Sequence, residues 1–184
     1  MEKVMKMEIM EKYNSTYKGY DRLYGEEQRE KYREIISEVN SVENKVIIDI
    51  GCGTGLIERR LKKSRFTVGL DISIKMLRKA VKRFRGKLNY SWINADAENI
   101  PIRDNSIDLA LMITVIQNIP NKNKVISEIE RILKNNGITI ITYPKSHFTL
   151  EEALKEIQQS NLKIMGINDK VTKDIIIKLK KVSN

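Results

Sequence analysis

The sequence predicts an α/β fold, a doubly wound and mostly parallel sheet with helices on both faces. Three observations carry the prediction. Val46-Ile47-Ile48-Asp49-Ile50 has the β-branched content and length of a strand buried on both faces, and it passes directly into glycines at 51, 53 and 55. Strand-like runs then alternate with segments of helical period, an order that sets parallel strands side by side with helices packed across them. Acids end two of the runs, at Asp71 and Asp96, where a doubly wound sheet keeps its ligands.

The elements follow in chain order. After a polar N-terminal region, Glu26 to Val39 reads as a helix, with Tyr32, Ile35, Ile36 and Val39 recurring at helical spacing. Val46 to Ile50 is the first strand, and Leu56–Lys63 the helix expected behind its glycine loop. Arg65 to Leu70 reads as a second strand ending at Asp71, and Ile74–Arg85 as the next helix. Leu88 to Ala95 reads as a third strand, ending at Asp96-Ala97, and Ile107 to Ile113 as a fourth, opened by Ser106-Ile107-Asp108. Helix Lys122–Lys134 leads through Gly137 into a fifth strand, and helix Leu150–Ser160 comes after it. Leu162 to Ile167 and Asp174 to Lys180 have no convincing helix between them, so they are expected to form an antiparallel hairpin at one edge. The prolines, at 101, 120 and 144, fall in predicted loops.

Glycine at 51, 53 and 55 lets the backbone turn sharply and approach a ligand with no Cβ in the way, and the expected guest is a nucleotide-like cofactor. A dinucleotide fingerprint would put its third glycine at position 56, which is Leu56, so the spacing is GxGxG. Asp71, about twenty residues beyond the loop, is placed to accept hydrogen bonds from two ribose hydroxyls. A plainer reading remains at each point: a ligand-free strand-to-helix turn for the glycines, and caps of the following helix or turn for Asp71 and Asp96.

Composition bounds the rest. The 184 residues fit one domain, 1–184, and the single cysteine excludes an internal disulfide framework. No secretory leader or membrane-length apolar run is seen, which points to a reducing, cytoplasmic setting. Lys and Arg outnumber Asp and Glu 34 to 24, a formal +10 that favours anionic partners. The densest basic runs, Lys62-Lys63-Ser64-Arg65 and Arg78 to Lys87, map to helices flanking the sheet and read individually as solvated faces. Lys178, Lys180 and Lys181 read as charges guarding a sheet edge.

The succession Asp49-Ile50-Gly51-Cys52-Gly53-Thr54-Gly55, Gly69-Leu70-Asp71-Ile72-Ser73, Asn94 to Pro101, Asn105 to Leu109 and Glu130 to Gly137 resembles the class I S-adenosylmethionine-dependent methyltransferases over about residues 45 to 145. The resemblance implies a seven-stranded sheet in the order 3-2-1-4-5-7-6 with the last strand antiparallel, and S-adenosylmethionine as cofactor without a metal. Asp49 and the backbone of Gly51, Gly53 and Gly55 would hold its methionine end, Asp71 its ribose, and Ile72 its adenine face. Asp96 would accept from the adenine amino group while the Ala97 amide donates to the ring. Cys52, Met76, Ile113 and Thr114 complete the implied cofactor contacts, although the Cys52 side chain also reads as a small packing group. In similar enzymes the N-terminal segment folds over the cofactor as a lid. That role would fall to residues 1–25, which carry Tyr13, Tyr17, Tyr20 and Tyr24, with Tyr20 as the contact; the same spacing also fits one packed face of a short helix.

Substrate-facing candidates follow strands four and five. Gln117 and Asn118 either orient an acceptor or cap the helix beyond Pro120, and His147, the one histidine, is a candidate base or phosphate contact or a helix-start neighbour. No Asn-Pro-Pro-Tyr motif follows strand four, which weakens the case for methylation of planar amide or exocyclic amine nitrogens. The loop after strand five is too short to wall in a small molecule. Charge and that omission point to a macromolecular acceptor, RNA or a translation-related protein, or to a small activating subunit that completes the pocket. The alternatives are a small-molecule methyltransferase of quinone or sterol type and a cofactor-binding subunit that requires a partner.

Overall fold

The computed structural model describes residues 1–39, 41–170 and 172–182. Its elements are α1 (Glu2–Thr16), α2 (Tyr20–Glu38), β1 (Val46–Ile50), β2 (Phe66–Asp71), α3 (Ile74–Arg83), β3 (Tyr90–Asn94), β4 (Ile107–Met112), α4 (Lys122–Ile132), β5 (Leu133–Pro144), α5 (Leu150–Ile157), β6 (Leu162–Asn168) and β7 (Asp174–Lys181). Among the described residues the strands form one seven-stranded sheet in the order β3-β2-β1-β4-β5-β7-β6. β1 to β5 are parallel, and β7 runs antiparallel to both β5 and β6. This is the order implied by the resemblance, and the winding reverses between β1 and β4.

Two cores explain why the apolar strand runs lie where they do. On one face Ile48, Ile50, Val68, Leu70, Ala110 and Met112 pack with α4 and α5 through Ile126, Ile129 and Ala153. On the other, Ile47, Leu109, Leu111 and Ile140 meet Ile35 of α2 and Val39 just beyond its end. Successive residues of β1 and β4 thus feed opposite cores, which is why those strands are apolar without alternation. Local chemistry sets the helix starts. The Ser73 hydroxyl accepts from Met76 N–H and the Asn121 side chain from Lys124 N–H, and Thr149 with Glu152 closes a reciprocal capping box on α5.

The structure corrects the sequence reading in several places. The expected helix Leu56–Lys63 is a single 3-10 turn, Ile57–Arg60, because α2 fills that face and Ile57 and Leu61 pack into the core it forms. The Lys62-Lys63 run therefore lies in a loop, not on a helix. α2 starts at Tyr20, six residues before the predicted start, and α1 precedes it. Pro144 ends β5 instead of lying in a loop, and α4 stops at Ile132. β7 is hydrogen-bonded on both sides, so Lys178, Lys180 and Lys181 guard no edge. Lys181 instead donates to Leu133 C=O and to Asn105.

Candidate active site

The site begins where β1 ends. Gly51, Gly53 and Gly55 have φ of +77°, +55° and +76°, so the chain turns through a conformation that side chains rarely adopt. A Cβ on Gly51 would lie 2.3 Å from the Val115 side chain, whereas one on Gly53 would meet nothing within 4 Å, its open side being the cleft. Gly55 serves packing: its bare face lies against Trp92, Ala80 and Phe84, and it lines no part of the cleft. Gly51 and Cys52 N–H donate to Leu70 C=O at 2.7 and 3.0 Å, which ties the loop to β2.

Asp71 locks the same junction. Its two carboxylate oxygens accept from Gly53 N–H at 2.8 Å and from Ser73 N–H at 2.7 Å. Burial pushes its pKa up to about 6, and the two backbone donors hold it from rising further. Asp49, one strand away, is pushed up to about 7 by burial, with the nearby Asp71 charge adding to the effect. Behind it stands Glu58, 0% exposed, whose oxygens meet no N–H or O–H donor among the described residues. Burial and then the Asp49 charge drive the Glu58 pKa well up, which favours its neutral form. Burial likewise raises the Cys52 thiol, which leaves it a neutral packing group.

The cleft has two joined arms at the carboxyl ends of β1 and β4. The larger has about 730 Å³ of space free of protein atoms, part of it open to solvent. One wall of it is Gly51, Gly53, Asp71, Ile72 and Met76, with Asp96 and Ala97 at the far end. The opposite wall is Ile113, Thr114, Val115, Asn118, Ile119 and Pro120, and Lys6, Ile9, Tyr13 and Tyr20 roof it. The smaller, polar arm shares Tyr20, Gly51, Gly53 and Ile113 and adds Gln28, Tyr32, Asp49, Cys52 and Thr54. Gln28 is buried, and its Oε1 has no hydrogen-bond partner among the described residues.

The N-terminal helices are fastened to this cleft by polar contacts. α1 buries no residue fully, yet Lys6 Nζ sits 2.7 Å from both Asp96 and Glu98, and Asn14 accepts from the Ser73 hydroxyl at 2.7 Å. The Tyr13 hydroxyl accepts from Asn118 Nδ2 at 3.0 Å. Asp21 of α2 accepts from the Thr54 hydroxyl at 2.5 Å and pairs with Lys79 and Arg83 at 2.9 and 2.5 Å. Burial works against its charge, but these three partners outweigh it and hold the Asp21 carboxyl below its usual range.

Lys31, 2% exposed, donates to Asp174 of β7 at 2.8 Å and to the Thr114 hydroxyl at 2.7 Å. Thr114 takes φ +57°, a strained value for a β-branched residue, at the end of β4. That strain is held by the Lys31 bond, by Thr114 N–H to the Thr142 hydroxyl at 2.8 Å, and by Asp174, which also accepts from Thr142 at 2.9 Å.

Of the residues singled out from sequence, Gly51, Gly53, Asp71, Ile72, Met76, Asp96, Ala97, Ile113, Thr114, Tyr20 and Asn118 line the larger arm, and Asp49 and Cys52 the smaller. Gln117 turns away, its Nε2 donating to Thr114 C=O at 2.8 Å. His147 is exposed beside Ser146 on the loop after β5 and lines neither arm. Sequence reasoning passed over Gln28, Lys31 and Glu58. Their one signal was a polar side chain interrupting, or flanking, the apolar stripe of α2 and of the 3-10 turn.

Charge and shape suit the cofactor that the resemblance implies. The polar arm offers Asp49 and the orphaned Gln28 oxygen to a cationic amino-acid end, Asp71 keeps a free lone pair on each oxygen for hydroxyls, and Ile72 and Met76 give an apolar bed beside Asp96.

Comparison with known proteins agrees with this geometry. Residues 41–181 match a family described as "Methyltransferase domain". The Methanocaldococcus jannaschii protein MJ1252 is 35% identical over 162 residues, 86% of this chain and 60% of its own length. Demethylmenaquinone methyltransferase of Thermotoga maritima is 34% identical over 116 residues, 61% of this chain and 48% of its own. The chain spans about half to three fifths of the length of the curated relatives it matches. Among solved structures, a chain of the complex between the Haloferax volcanii Trm112 methyltransferase activator and a methyltransferase superposes with a TM-score of 0.85 at 15% identity, covering 95% of this chain and 98% of that one. A SAM-dependent methyltransferase from Aquifex aeolicus superposes with a TM-score of 0.79 at 18% identity, covering 92% and 98%. The chain belongs to the methyltransferase-domain family, and its fold is that of the class I S-adenosylmethionine-dependent enzymes.

Proposed function

We propose that this protein is a cytoplasmic S-adenosylmethionine-dependent methyltransferase that methylates a planar group seated against Tyr13 and Tyr20 and oriented by Asn118. The observation that carries the reading is the division of the larger arm. Residues suited to the cofactor form one wall, while two tyrosine rings 6.3 Å apart in the roof meet the Asn118 amide of the other wall.

Bound S-adenosylmethionine supplies a methyl group already activated on a sulfonium. The chain then has to align, exclude water and orient, a task for which positioning in the best intramolecular cases is worth effective molarities on the order of 10⁵ M or more. The turn at Gly51 to Gly55 and the Asp71 bridge fix the cofactor wall, and Lys31 with Asp174 fixes Thr114 across from it. Burial raises the pKa of the Tyr13 hydroxyl, which Asn118 donation lowers only in part. Tyr13 therefore stays protonated at neutral pH and keeps a proton to donate to an acceptor oxygen or nitrogen. No general base stands in the acceptor wall among the described residues, so the nucleophile is one that needs no strong base.

Roof residues 1–25 act as the lid of this site in our reading. The acceptor is carried on a macromolecule, and a small activating subunit assists, as the Haloferax volcanii complex suggests for its own chain. A free acceptor of quinone type is the second reading. It is favoured by the walling of the cleft by α1 and α2, which the short loop after β5 does not provide, and by the name of the Thermotoga relative. Transfer of labelled methyl from the cofactor into cell RNA, protein and solvent-extractable fractions tests both. Label in RNA or protein is expected, label only in the extract supports the second reading, and no label in any fraction contradicts both.

A further inference from the structure

The positive charge of this chain is concentrated, not spread. Residues 59–95 contain twelve Lys and Arg and a single acid, the buried Asp71, while the rest of the chain has 22 cations against 23 acids. The whole formal +10 thus resides in one stretch of sequence. The fold keeps that stretch together, because the 3-10 turn packs on α2, and Lys79 and Arg83 of α3 bond to Asp21 of α2.

Between these elements lies a surface cleft lined by Arg29, Arg59, Arg60 and Arg83, with Asp21 the one acid among its described lining residues. Asp21 is already engaged by Thr54, Lys79 and Arg83. Arg29, Arg59 and Arg60 are exposed and make no ion pair among the described residues. Crowding like charges into a concavity costs free energy unless an anion offsets it, and guanidinium forks match phosphate oxygens two at a time. Tyr32 and Leu56 line both this cleft and the polar arm of the active site, so the two share a wall.

We propose that this arginine cleft, with the basic surface continuing along α3, binds a nucleic acid strand through its phosphodiester backbone. Nucleic-acid interfaces are strongly cationic, and the described lining of this cleft sets four arginines against one acid that is already paired, so a polyanionic backbone suits it better than a protein surface of mixed charge. The binding stands apart from methyl transfer. Its link to an RNA acceptor rests on the function proposed above.

The test is fluorescence anisotropy with a labelled twelve-nucleotide RNA, and its DNA counterpart, at several salt concentrations on the full chain without cofactor. Wild type is expected to bind with an affinity that falls steeply with salt. Replacing the cleft cations together (Arg29→Gln, Arg59→Gln, Arg60→Gln) should flatten the log–log salt slope by about 2, at roughly 0.7 per lost phosphate contact, and weaken binding about tenfold or more. A control with the same charge change on remote exposed lysines (Lys155→Gln, Lys163→Gln, Lys170→Gln) should do much less. Cofactor affinity measured by calorimetry should be unchanged in both variants, which separates loss of this surface from loss of the fold or of the methyltransferase site. Equal effects of the two triple variants, no binding by wild type at 50 mM salt, or tighter binding to polyglutamate than to RNA would overturn the proposal.

Discussion

Replacing Asp71 with alanine probes the cofactor wall at its most constrained point. The wild-type carboxylate uses one lone pair on each oxygen for Gly53 N–H and Ser73 N–H, at 2.8 and 2.7 Å, and a carboxylate has about four such sites. Two acceptor sites are left for the ribose hydroxyls. Hydrogen bonds to a charged group contribute about 1.5–3 kcal/mol, so loss of the ribose contacts should weaken cofactor binding by roughly 10- to 150-fold. The same change strips the acceptor from two buried backbone donors, and each costs about 1–3 kcal/mol when left without a partner. This is offset by relief from holding a carboxylate in a buried site. The variant should therefore remain folded but be less stable. Calorimetric titration with S-adenosylmethionine, alongside urea unfolding, measures both quantities. Unchanged affinity with unchanged stability would refute the assignment of Asp71 to the ribose and to the loop.

The remaining predictions concern other supports of the cleft. Lys31→Met leaves Asp174 buried without its cation and should cost about 3–5 kcal/mol in denaturant unfolding; a loss under 1 kcal/mol would mean that the Thr114 and Thr142 hydroxyls suffice. Gly51→Ala adds the strain of φ +77°, about 1–2 kcal/mol, to a 2.3 Å clash with Val115, so pairing it with Val115→Ala should restore stability only in part. Gly53→Ala meets no protein atom but still carries the strain of φ +55°, about 1–2 kcal/mol, so it should cost less stability than Gly51→Ala while losing cofactor affinity, a split that calorimetry and melting together would reveal.

Stability should also fall as pH rises from about 4 to 7. Asp71 and Asp49 are raised to about 6 and about 7, so between their unfolded and folded values the native chain binds more protons than the unfolded one. Their contribution is complete below about pH 4 and lost as pH climbs through the folded values. The lowered carboxyls of Asp21 and Glu128 act with the opposite sign, only toward more acidic pH. A urea midpoint higher at pH 5 than at pH 7.5 is expected, and the reverse order contradicts the assignment.

What could be read from the sequence was whatever short-range chemistry decides. The Val46–Ile50 run and its glycines are legible because a strand buried on both faces has to be apolar throughout and a turn at φ +77° has to be glycine. Asp71 and Asp96 are legible because each ends, or directly follows, a strand on the ligand side of the sheet. The failed helix at Leu56–Lys63 has suitable residues for a helix, but the decision was tertiary: α2 already covers that face. Lys178 and Lys180 look like edge charges until β5 pairs with β7 on the side away from its hairpin partner β6. Gln28, Lys31 and Glu58 are invisible for the same reason. A polar side chain in an amphipathic helix or turn shows its purpose only when Asp174, Asp49 or the cleft is brought to it from a distant part of the chain.

A crystal structure with S-adenosylmethionine bound tests the central claim most directly. The account predicts the ribose on Asp71, the adenine on Ile72 with its amino group at Asp96, and the amino-acid end in the polar arm beside Asp49 and Gln28. Cofactor density elsewhere, or a polar arm filled by a pyrophosphate-linked molecule, would contradict it.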